Sequence, residues 1–284
     1  MPRSIGIGLI GFGWMGHAHA RSYRSIPVYF PEAGLAPRLV AVADTDPARV
    51  QEATSAFGFE TGTGDYRALL EDDEIEVIDI TAPNGMHEEL ATAAAAAGKH
   101  VFCEKPVGVD PFATARIEAA TRRAGVITGG GYNYRWAPLI QYLRGLITEG
   151  RLGELTHYRG RFFTMYGRDR LGLLNWRFLL DEGGYGVLND VMPHVVDMAQ
   201  HLCGPITRVS SVKEIFVKQR PLPRPDATTH YARGAPDDPT GEVTNEDYVG
   251  ALVEFASGVR GTLEVDRSIF GPQSSMAFEL NGSR

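Results

Sequence analysis

The sequence has few cysteines, no excess of basic residues and no long apolar run. Two cysteines in 284 residues are too few for a disulfide framework and are typical of a protein in a reducing cytoplasm. The 28 lysines and arginines are outnumbered by 35 aspartates and glutamates, and a net charge of −7 argues against nucleic acid or an anionic membrane as the main partner. No segment approaches the roughly 20 apolar residues of a membrane-spanning helix.

Two catalytic signatures are also missing. No cluster of cysteine and histidine has the spacing of a metal site, so no metal is predicted, and no Gly-x-Ser-x-Gly nucleophile elbow occurs. What the chain has is length and apolar content. With 284 residues, 43% of them hydrophobic, it can bury a large core and is long enough for two domains.

A glycine-rich turn follows the first apolar segment. Residues 5–10 predict a buried strand, and Gly11, Gly13 and Gly16 come directly after it, where a helix can begin. Gly11 permits a tight turn, Gly13 lets the backbone approach a pyrophosphate, and Gly16 allows the helix to pack closely on the strand. The spacing favours a dinucleotide-binding turn; an ordinary strand–turn–helix unit is the alternative on this segment alone.

An acidic residue ends the second predicted strand, at residues 39–43. The Asp44 carboxylate is placed to accept hydrogen bonds from the adenine ribose and would repel a 2′-phosphate, which favours NAD over NADP. Its distance from the glycines exceeds the usual ~20 residues, and residues 27–37, which contain three prolines, predict an inserted loop after the first helix. The alternative role of Asp44 is to cap a helix beginning near Pro47.

Strands and helices alternate through the first 130 residues. Further strands are predicted at residues 75–81, 100–103 and 126–128, and helices at residues 86–97 and 111–124. Such alternation predicts an α/β fold with a doubly wound parallel sheet, in a domain of residues 1–130.

The pattern changes after residues 129–131, which are all glycine. The remainder predicts an α+β domain of residues 131–284 with an antiparallel or mixed sheet. Its predicted elements are a helix at 139–148 and strands at 155–165, 209–217, 248–255, 259–265 and 276–280. Residues 220–242 predict a mobile loop or insertion. Asn281-Gly282 has the composition of a hairpin turn with no strand after it, so we expect the natural chain to continue.

A lysine stands at the end of the predicted strand 100–103. Glu104, Lys105 and Pro106 follow this strand directly, at the carboxyl edge where doubly wound sheets bind ligands. Lys105 is therefore placed to donate to a substrate hydroxyl and to stabilise the alkoxide that forms during oxidation. A surface Glu-Lys pair before a turn is the alternative interpretation.

A second candidate group combines Asp190, His194 and Asp197. Spacings of four and three residues predict that the three side chains share one helical face. A histidine with an ordinary pKa near ~6.5 suits proton removal at neutral pH, and Asp190 can orient it. A structural histidine with capping aspartates is the alternative interpretation.

Several aromatic residues stand beside polar donors, a composition typical of a sugar-binding surface, although an aromatic core is the alternative. The segments are Tyr132-Asn133-Tyr134-Arg135-Trp136 and Asn175-Trp176-Arg177. Among the histidines, His87 is predicted either to lie near a cofactor or to cap a helix. His17 and His19 are predicted to lie on a helix surface.

These motifs, in this order, resemble the glucose–fructose oxidoreductase/inositol dehydrogenase (Gfo/Idh/MocA) family over nearly the whole chain. The resemblance implies a Rossmann domain, then a substrate domain with a large open, mainly antiparallel sheet, and hydride transfer between NAD(P) and a sugar or cyclitol. It also implies that Lys105, Asp190 and His194 are catalytic. Residues 26–37 and the Trp176-Arg177-Phe178 run are similar to those of levoglucosan dehydrogenase-like members, with inositol dehydrogenase-like members next.

The resemblance extends to binding residues and partners. It implies a polyol or sugar substrate, a homodimer or homotetramer formed through the open sheet, and a cytoplasmic location. The implied NAD-binding residues are Gly11, Phe12, Gly13, Trp14, Met15, Gly16, Asp44, Thr45, Thr81, Pro83, Asn84, His87, Glu104 and Lys105. The implied substrate-binding residues are Lys105, Asn133, Tyr134, Arg135, Trp176, Arg177, Asp190 and His194. An NAD-dependent glycosidase or lyase and a non-catalytic NAD-binding sensor are the alternative functions.

Overall fold

The structure, a computed structural model, describes residues 2–223, 232–271 and 273–284. The chain forms two compact units, Met1–Gly131 and Tyr132–Arg284. In the described part of the chain, no helix combines the length and the apolar character that crossing a membrane requires.

The first unit is a parallel six-stranded sheet of Rossmann topology, with strand order β3-β2-β1-β4-β5-β6. Its strands are β1 (Arg3–Ile10), β2 (Leu35–Ala43), β3 (Thr61–Thr63), β4 (Val77–Ile80), β5 (His100–Cys103) and β6 (Thr128–Gly130). Its α-helices are α1 (Trp14–Tyr29), α2 (Pro47–Glu52), α3 (Arg67–Glu71), α4 (His87–Ala96) and α5 (Pro111–Ala124).

Both faces of this sheet are covered, as expected for parallel strands. Alternate residues of β1 point to opposite faces. Leu9 packs in one buried cluster with Ala20 of α1, and Ile10 packs in another with Leu90 of α4. The carboxyl ends of β1, β4 and β5 therefore meet at one edge of the sheet, directly before the glycine turn and the Glu104-Lys105 pair.

The predicted loop at residues 27–37 is wrong. Helix α1 continues through Pro27 to Tyr29, and β2 already begins at Leu35, so the connection is short. Pro37 is accommodated within β2 because only β1 pairs with the strand at this position; β3 pairs with Ala41–Ala43 alone. The long separation between the glycines and Asp44 thus comes from a long helix and a long strand.

One strand of the first unit has no counterpart in the sequence-based prediction. β3 is a three-residue edge strand, Thr-Gly-Thr, without an apolar residue, so hydrophobic periodicity gives no sign of it. The strand predicted at 75–81 is β4, and the one predicted at 126–128 lies two residues later, as β6. The predictions of strand 100–103 and helix 111–124 are confirmed.

The second unit is built on a mixed five-stranded sheet of order β13-β7-β12-β11-β8, in which only β7 and β12 are parallel. Its strands are β7 (Leu155–Thr164), β8 (Ile206–Glu214), β9 (Gln219–Pro221), β10 (Thr240–Glu242), β11 (Tyr248–Phe255), β12 (Arg260–Asp266) and β13 (Ser274–Gly282). Its α-helices are α6 (Pro138–Thr148), α7 (Leu180–Gly183), α8 (Val187–Asp190) and α9 (Met192–Cys203).

One face of the five-stranded sheet packs against α9. Val195, Met198 and Leu202 of this helix share a buried cluster with Leu263 and Val265 of β12. The opposite face carries alternating, mostly polar side chains, such as Arg159 on β7 and Glu254 on β11, which are more exposed. Helix α9 thus provides the hydrophobic cover of this unit.

Two predictions about the second unit need correction. Asn281 and Gly282 do not form a turn, because both belong to β13 and pair with His157 and Leu155 of β7. The stretch 220–242 is structured at its ends, where β9 and β10 form a two-stranded antiparallel ribbon. The central part of that predicted loop, residues 224–231, lies outside the described residues.

Candidate active site

The glycine turn after β1 is closely packed at two positions and open at the third. Gly11 has a φ of +93°, and a Cβ there would lie 2.7 Å from the Cα of Ala82. A Cβ on Gly16 would lie 2.6 Å from the carbonyl oxygen of Gly11. A Cβ on Gly13 would meet no described atom within 4 Å, so the backbone there is accessible to a ligand.

Helix α1 begins at this turn in a way that suits phosphate groups. Gly13 caps the helix without a side-chain hydrogen bond, and the first turn carries no acidic residue. The first N–H groups of a helix have no partner within it, so they are free to bind an anion. Trp14 is exposed and Met15 is half-buried, whereas the side chain of Phe12 is fully buried against Phe57 and Phe59.

Asp44 follows β2 directly and contacts the glycine turn. One carboxylate oxygen accepts the Phe12 N–H at 2.6 Å, and the other accepts the Asp46 N–H at 2.9 Å. Asp46, not Asp44, caps α2 by accepting the Ala48 N–H, so the alternative role of Asp44 as the helix cap is wrong. Thr45 lies exposed in the bend between these aspartates.

The loops after β4 and β5 are tied together by a buried histidine. His87 is fully buried, with Nδ1 2.8 Å from the Pro106 carbonyl oxygen and Nε2 2.9 Å from that of Ala82. Its side chain does not cap α4. His87 therefore sets the relative position of two loops at the carboxyl edge of the sheet.

The other residues of the loop after β4 either contact the glycine turn or lie at the surface. The Thr81 hydroxyl donates a hydrogen bond to the Gly11 carbonyl oxygen. Pro83 is exposed, and Asn84 begins a short 3₁₀ turn, Asn84–Met86. The loop thus supports the glycine turn from the side of β4.

Glu104 is a buried carboxylate, and Lys105 beside it is half-buried. One Glu104 oxygen accepts the Lys105 N–H at 3.0 Å, and the other lies 3.2 Å from Nε2 of His19. Nδ1 of His19 lies 2.9 Å from a carboxylate oxygen of Asp79 on β4. The sequence-based prediction that His19 lies on a helix surface is wrong, since its side chain is only 13% exposed and bridges two acids.

In the second unit, His194 lies among aromatic rings. Its ring centroid is 4.9 Å from that of Tyr134, 6.0 Å from that of Phe162 and 6.5 Å from that of Tyr132. Asp190 ends α8, whereas His194 and Asp197 both lie on α9, so the prediction that the three side chains share one helical face is wrong for Asp190. Pro193 at the start of α9 has no N–H to continue the hydrogen-bond ladder, which explains the break.

Arg135 and Asp197 form a two-pronged ion pair. Nε of Arg135 donates to Asp197 at 2.9 Å, and a terminal guanidinium nitrogen donates to the other carboxylate oxygen. This pair ties the 3₁₀ turn Asn133–Trp136 to α9, and so sets Tyr134 against His194. Asn133 and Tyr134 remain exposed in that turn.

Trp176 and Arg177 lie half-buried in a second 3₁₀ turn, Trp176–Phe178, with the Arg177 guanidinium 4.5 Å from the Trp176 ring centroid. The Arg177 carbonyl oxygen accepts hydrogen bonds from Asn245 at 3.0 Å and from Arg267 at 3.1 Å. Arg267 is itself fully buried.

The charge of Arg267 is balanced by Asp247. Nε of Arg267 donates to this fully buried carboxylate at 2.7 Å. The pair was not foreseen from the sequence. The one available sign was three consecutive polar residues, 245–247, directly before the predicted strand 248–255.

Family models match both units of the chain. Residues 5–132 match the model of an oxidoreductase family with an NAD-binding Rossmann fold, and residues 140–284 match that of the Gfo/Idh/MocA C-terminal domain. Together the two matches cover nearly the whole sequence.

Individual relatives agree with these matches. Levoglucosan dehydrogenase of Pseudarthrobacter phenanthrenivorans is 34% identical over 99% of the chain, which spans 72% of that protein. Inositol 2-dehydrogenase of Rhizobium meliloti is 27% identical over 99% of the chain, which spans 74% of it. The solved structure of a levoglucosan dehydrogenase complex with NADH and levoglucosan superposes with a TM-score of 0.90 at 33% identity, covering 99% of this chain and 72% of that one. The chain therefore belongs to the Gfo/Idh/MocA family of NAD-binding oxidoreductases.

Proposed function

We propose that this protein is an NAD-dependent dehydrogenase that oxidises a hydroxyl group of a sugar, an anhydrosugar or an inositol. The observation that carries the proposal is the carboxyl edge of the parallel sheet. There the open glycine turn, Asp44 and the Glu104-Lys105 pair follow β1, β2 and β5. Ligands of doubly wound sheets bind at this edge.

The residues of the first unit fit a nicotinamide dinucleotide. The accessible backbone at Gly13 and the free N–H groups of α1 would hold the pyrophosphate. Asp44 would hold the adenine ribose, since its carboxylate contacts the turn that carries the phosphates. NAD, when bound, accepts a hydride from the carbon that bears the hydroxyl.

Three side chains are proposed to act on the substrate hydroxyl. His194 accepts the hydroxyl proton at a ring nitrogen, Asp190 orders the hydrogen bonds of the substrate, and the Lys105 ammonium stabilises the negative charge that develops on oxygen. The carboxylate of Glu104 holds the main chain of Lys105 through its N–H.

The substrate class follows from the relatives and from the aromatic residues. Relatives are named for levoglucosan and inositol, and one solved neighbour contains levoglucosan. Tyr134 and Trp176 offer ring faces, and Asn133 and Arg177 offer polar donors, a combination that suits a polyhydroxylated ring. Because Arg135 is engaged by Asp197, we propose that it positions the turn rather than contacting substrate with its full guanidinium.

A substrate panel tests the function. The protein is incubated with NAD or NADP and with levoglucosan, inositols, free aldoses or glycosides, and reduced nicotinamide is followed by absorbance. We expect a net release of NADH that depends on substrate and is stoichiometric with oxidised product. Bond cleavage without net NADH would instead indicate a glycosidase or lyase that oxidises its substrate transiently. NAD binding without turnover across the panel would indicate a sensor.

Assembly and location are further parts of the proposal. The uncovered face of the five-stranded sheet is proposed to pair with a second copy in a homodimer or homotetramer, which light scattering on purified protein would detect.

We also propose a cytoplasmic location, where the two free, buried thiols of Cys103 and Cys203 stay reduced. Fractionation of the native host would test it.

A further inference from the structure

The first unit contains a buried group of ionisable side chains that the proposed mechanism does not use. The side chain of His19, on α1, lies between two acidic side chains near the carboxyl edge of the sheet. Nδ1 lies 2.9 and 3.1 Å from the two oxygens of Asp79, and Nε2 lies 3.2 Å from Glu104. Asp79 is fully buried and Glu104 is 8% exposed.

The ring of His19 is held in its charged form. A neutral imidazole has one N–H and can donate to one acid only, whereas both ring nitrogens here face carboxylates. Burial by itself would lower the pKa of His19, but the hydrogen bonds and charges of Asp79 and Glu104 outweigh it and raise the pKa to about 10. The Tyr23 hydroxyl also donates a hydrogen bond to Asp79. Burial raises the pKa of Tyr23 well above its usual value.

The second acid connects this group to the proposed catalytic lysine. The Glu104 oxygen that does not face His19 accepts the N–H of Lys105 at 3.0 Å. The other oxygen packs against Gly131, where a Cβ would come within 2.5 Å of it. Burial opposes the charge of Glu104, but His19 and Lys105 together hold its pKa below the usual value. Glu104 thus has little freedom to rotate.

We propose that His19 is a positioning residue for the reaction: by clamping the Glu104 carboxylate, it fixes the main chain of Lys105 at the end of β5 and so the direction of the Lys105 ammonium. This inference rests on the proposed catalytic role of Lys105. A glutamine at position 19 carries both N–H donors on one nitrogen and has no charge, so where the two imidazole nitrogens face two acids, its amide oxygen would face one of them without a donor. Glu104 is then free to turn towards solvent or to take up a proton, and the N–H of Lys105 loses its fixed acceptor.

The kinetic test compares His19→Gln with His17→Gln. His17 is a matched control, because it lies on the same helix but packs on Phe12 and Phe57 and does not reach Glu104. For folded His19→Gln we expect kcat to fall roughly ten- to a hundredfold, the size of a misplaced catalytic group, while the Kd for NAD changes less than about threefold. His17→Gln should retain its kcat. Wild-type kcat in His19→Gln would overturn the inference.

The pH profile separates positioning from mere stabilisation of the fold. Without the imidazolium, Glu104 and Asp79 are two buried acids with less opposing charge, so the pKa of Glu104 should rise. We therefore expect the kcat profile of His19→Gln to contain a second ionisation at acid pH, that of Glu104, in addition to the ionisation of His194 that we expect in the wild type. We also expect His19→Gln combined with Glu104→Gln to be no slower than the slower single variant. An acid limb of His19→Gln with the same single ionisation as the wild type, or losses that multiply in the double variant, would contradict the inference.

A measurement on the wild-type protein covers the case in which His19→Gln does not fold. The ring nitrogens of His19 and the amide of Lys105 are followed by NMR across alkaline pH. We expect the Lys105 amide resonance to shift with the same midpoint as the His19 ring, and an amide that ignores this titration would overturn the inference. Inactive Lys105→Ala with fully active His19→Gln would refute the positioning role alone. Active Lys105→Ala would remove the lysine from the mechanism and this inference with it, whereas only a wild type that releases no NADH across the substrate panel would refute the proposed function.

Discussion

We propose that the Asp44 carboxylate decides between the two nicotinamide dinucleotides. It contacts the Phe12 N–H in the glycine turn, and the Arg49 guanidinium lies 3.7 Å from one of its oxygens. A negative charge at this point repels a 2′-phosphate, whereas the arginine left without it would attract one. On this proposal, the preference for NAD over NADP depends on one acidic side chain with an arginine beside it.

The first prediction concerns this side chain. Asp44→Ser should lower the ratio of kcat/KM for NAD to that for NADP by about tenfold or more, because one repulsive charge near a phosphate is removed and Arg49 is freed. Initial rates with both cofactors measure the ratio. Asp46→Ser is the matched control, since serine also caps a helix and the charge removed is the same. Equal efficiency of the wild type with NADP would contradict the role of Asp44.

Lys105 gives a second prediction at the scale of one residue. Lys105→Ala should reduce kcat by about 10²-fold or more, because the developing oxyanion loses its charged donor, while NAD binding measured by calorimetry stays within about threefold. Lys218→Ala, which removes an exposed lysine of the second unit, serves as the control. A near-normal rate in Lys105→Ala would remove the lysine from the mechanism.

The third prediction concerns the proton. A neutral imidazole is needed to accept it, so kcat should rise with pH through the ionisation of His194 and then level off. His194→Asn should lose most activity together with this acid limb, whereas His157→Asn, which changes an exposed histidine on β7, should keep both. If His194→Asn retains the limb and the rate, another group carries the proton, and Asp190 is the next candidate.

At the scale of elements, the structure shows how a short turn is held against a helix. The 3₁₀ turn Asn133–Trp136 carries the aromatic face next to His194, and its attachment to α9 is the Arg135–Asp197 pair. The Asp197 side chain is 9% exposed and accepts both prongs of the guanidinium. Two charged hydrogen bonds from one planar guanidinium hold the turn on α9 more firmly than a surface ion pair would.

We expect Asp197→Asn to lower the free energy of unfolding by about 1–3 kcal/mol, the usual cost of removing a charged hydrogen-bond partner at a buried site. It should also raise KM for the sugar, because Tyr134 is less firmly placed. Urea unfolding and initial rates measure the two effects. Glu254→Gln breaks an exposed pair with Arg208 and should change stability by less than about 1 kcal/mol. Equal effects of the two changes would contradict the prediction.

Elements with strong local signals were predicted well, and elements without them were not. Strand β5 and helix α5 were placed correctly because an apolar run or a capping Asp and a terminal Gly mark their ends. β3 was missed because it has no apolar residue. The interruption between α8 and α9 was missed because spacing by itself does not take account of Pro193.

At the scale of the molecule, buried charge makes stability depend on pH. The folded pKa of His19 is raised to about 10 from an ordinary value of 6.5. Between these values the folded protein holds a proton that the unfolded chain has lost. The contribution of His19 to the free energy of unfolding is therefore complete below about pH 6.5 and disappears as the pH rises through about 10. Asp79 and Glu104 are the ionisable groups that contact His19, and Tyr23 contacts Asp79.

The corresponding prediction is a fall in the urea midpoint of the wild type between about pH 6.5 and 10. His19→Gln should have a lower midpoint near neutral pH and a flatter dependence above it, since it has no proton to lose at this site. His100→Gln, which changes a half-buried histidine of β5, should keep the slope of the wild type. Parallel curves for His19→Gln and the wild type would show that another group causes the slope.

The sequence by itself determined the parallel α/β unit, the glycine turn, the acid at the end of β2 and the lysine at the end of β5. These features are encoded locally, in apolar periodicity and in glycines and charges at strand ends. The tertiary structure alone decided the partners of the buried charges. His19 meets Asp79 and Glu104 across 60 and 85 residues, and Arg135 meets Asp197 across 62. Such pairs form only because strand order and helix packing bring distant segments together, and no local pattern specifies which acid each base will meet.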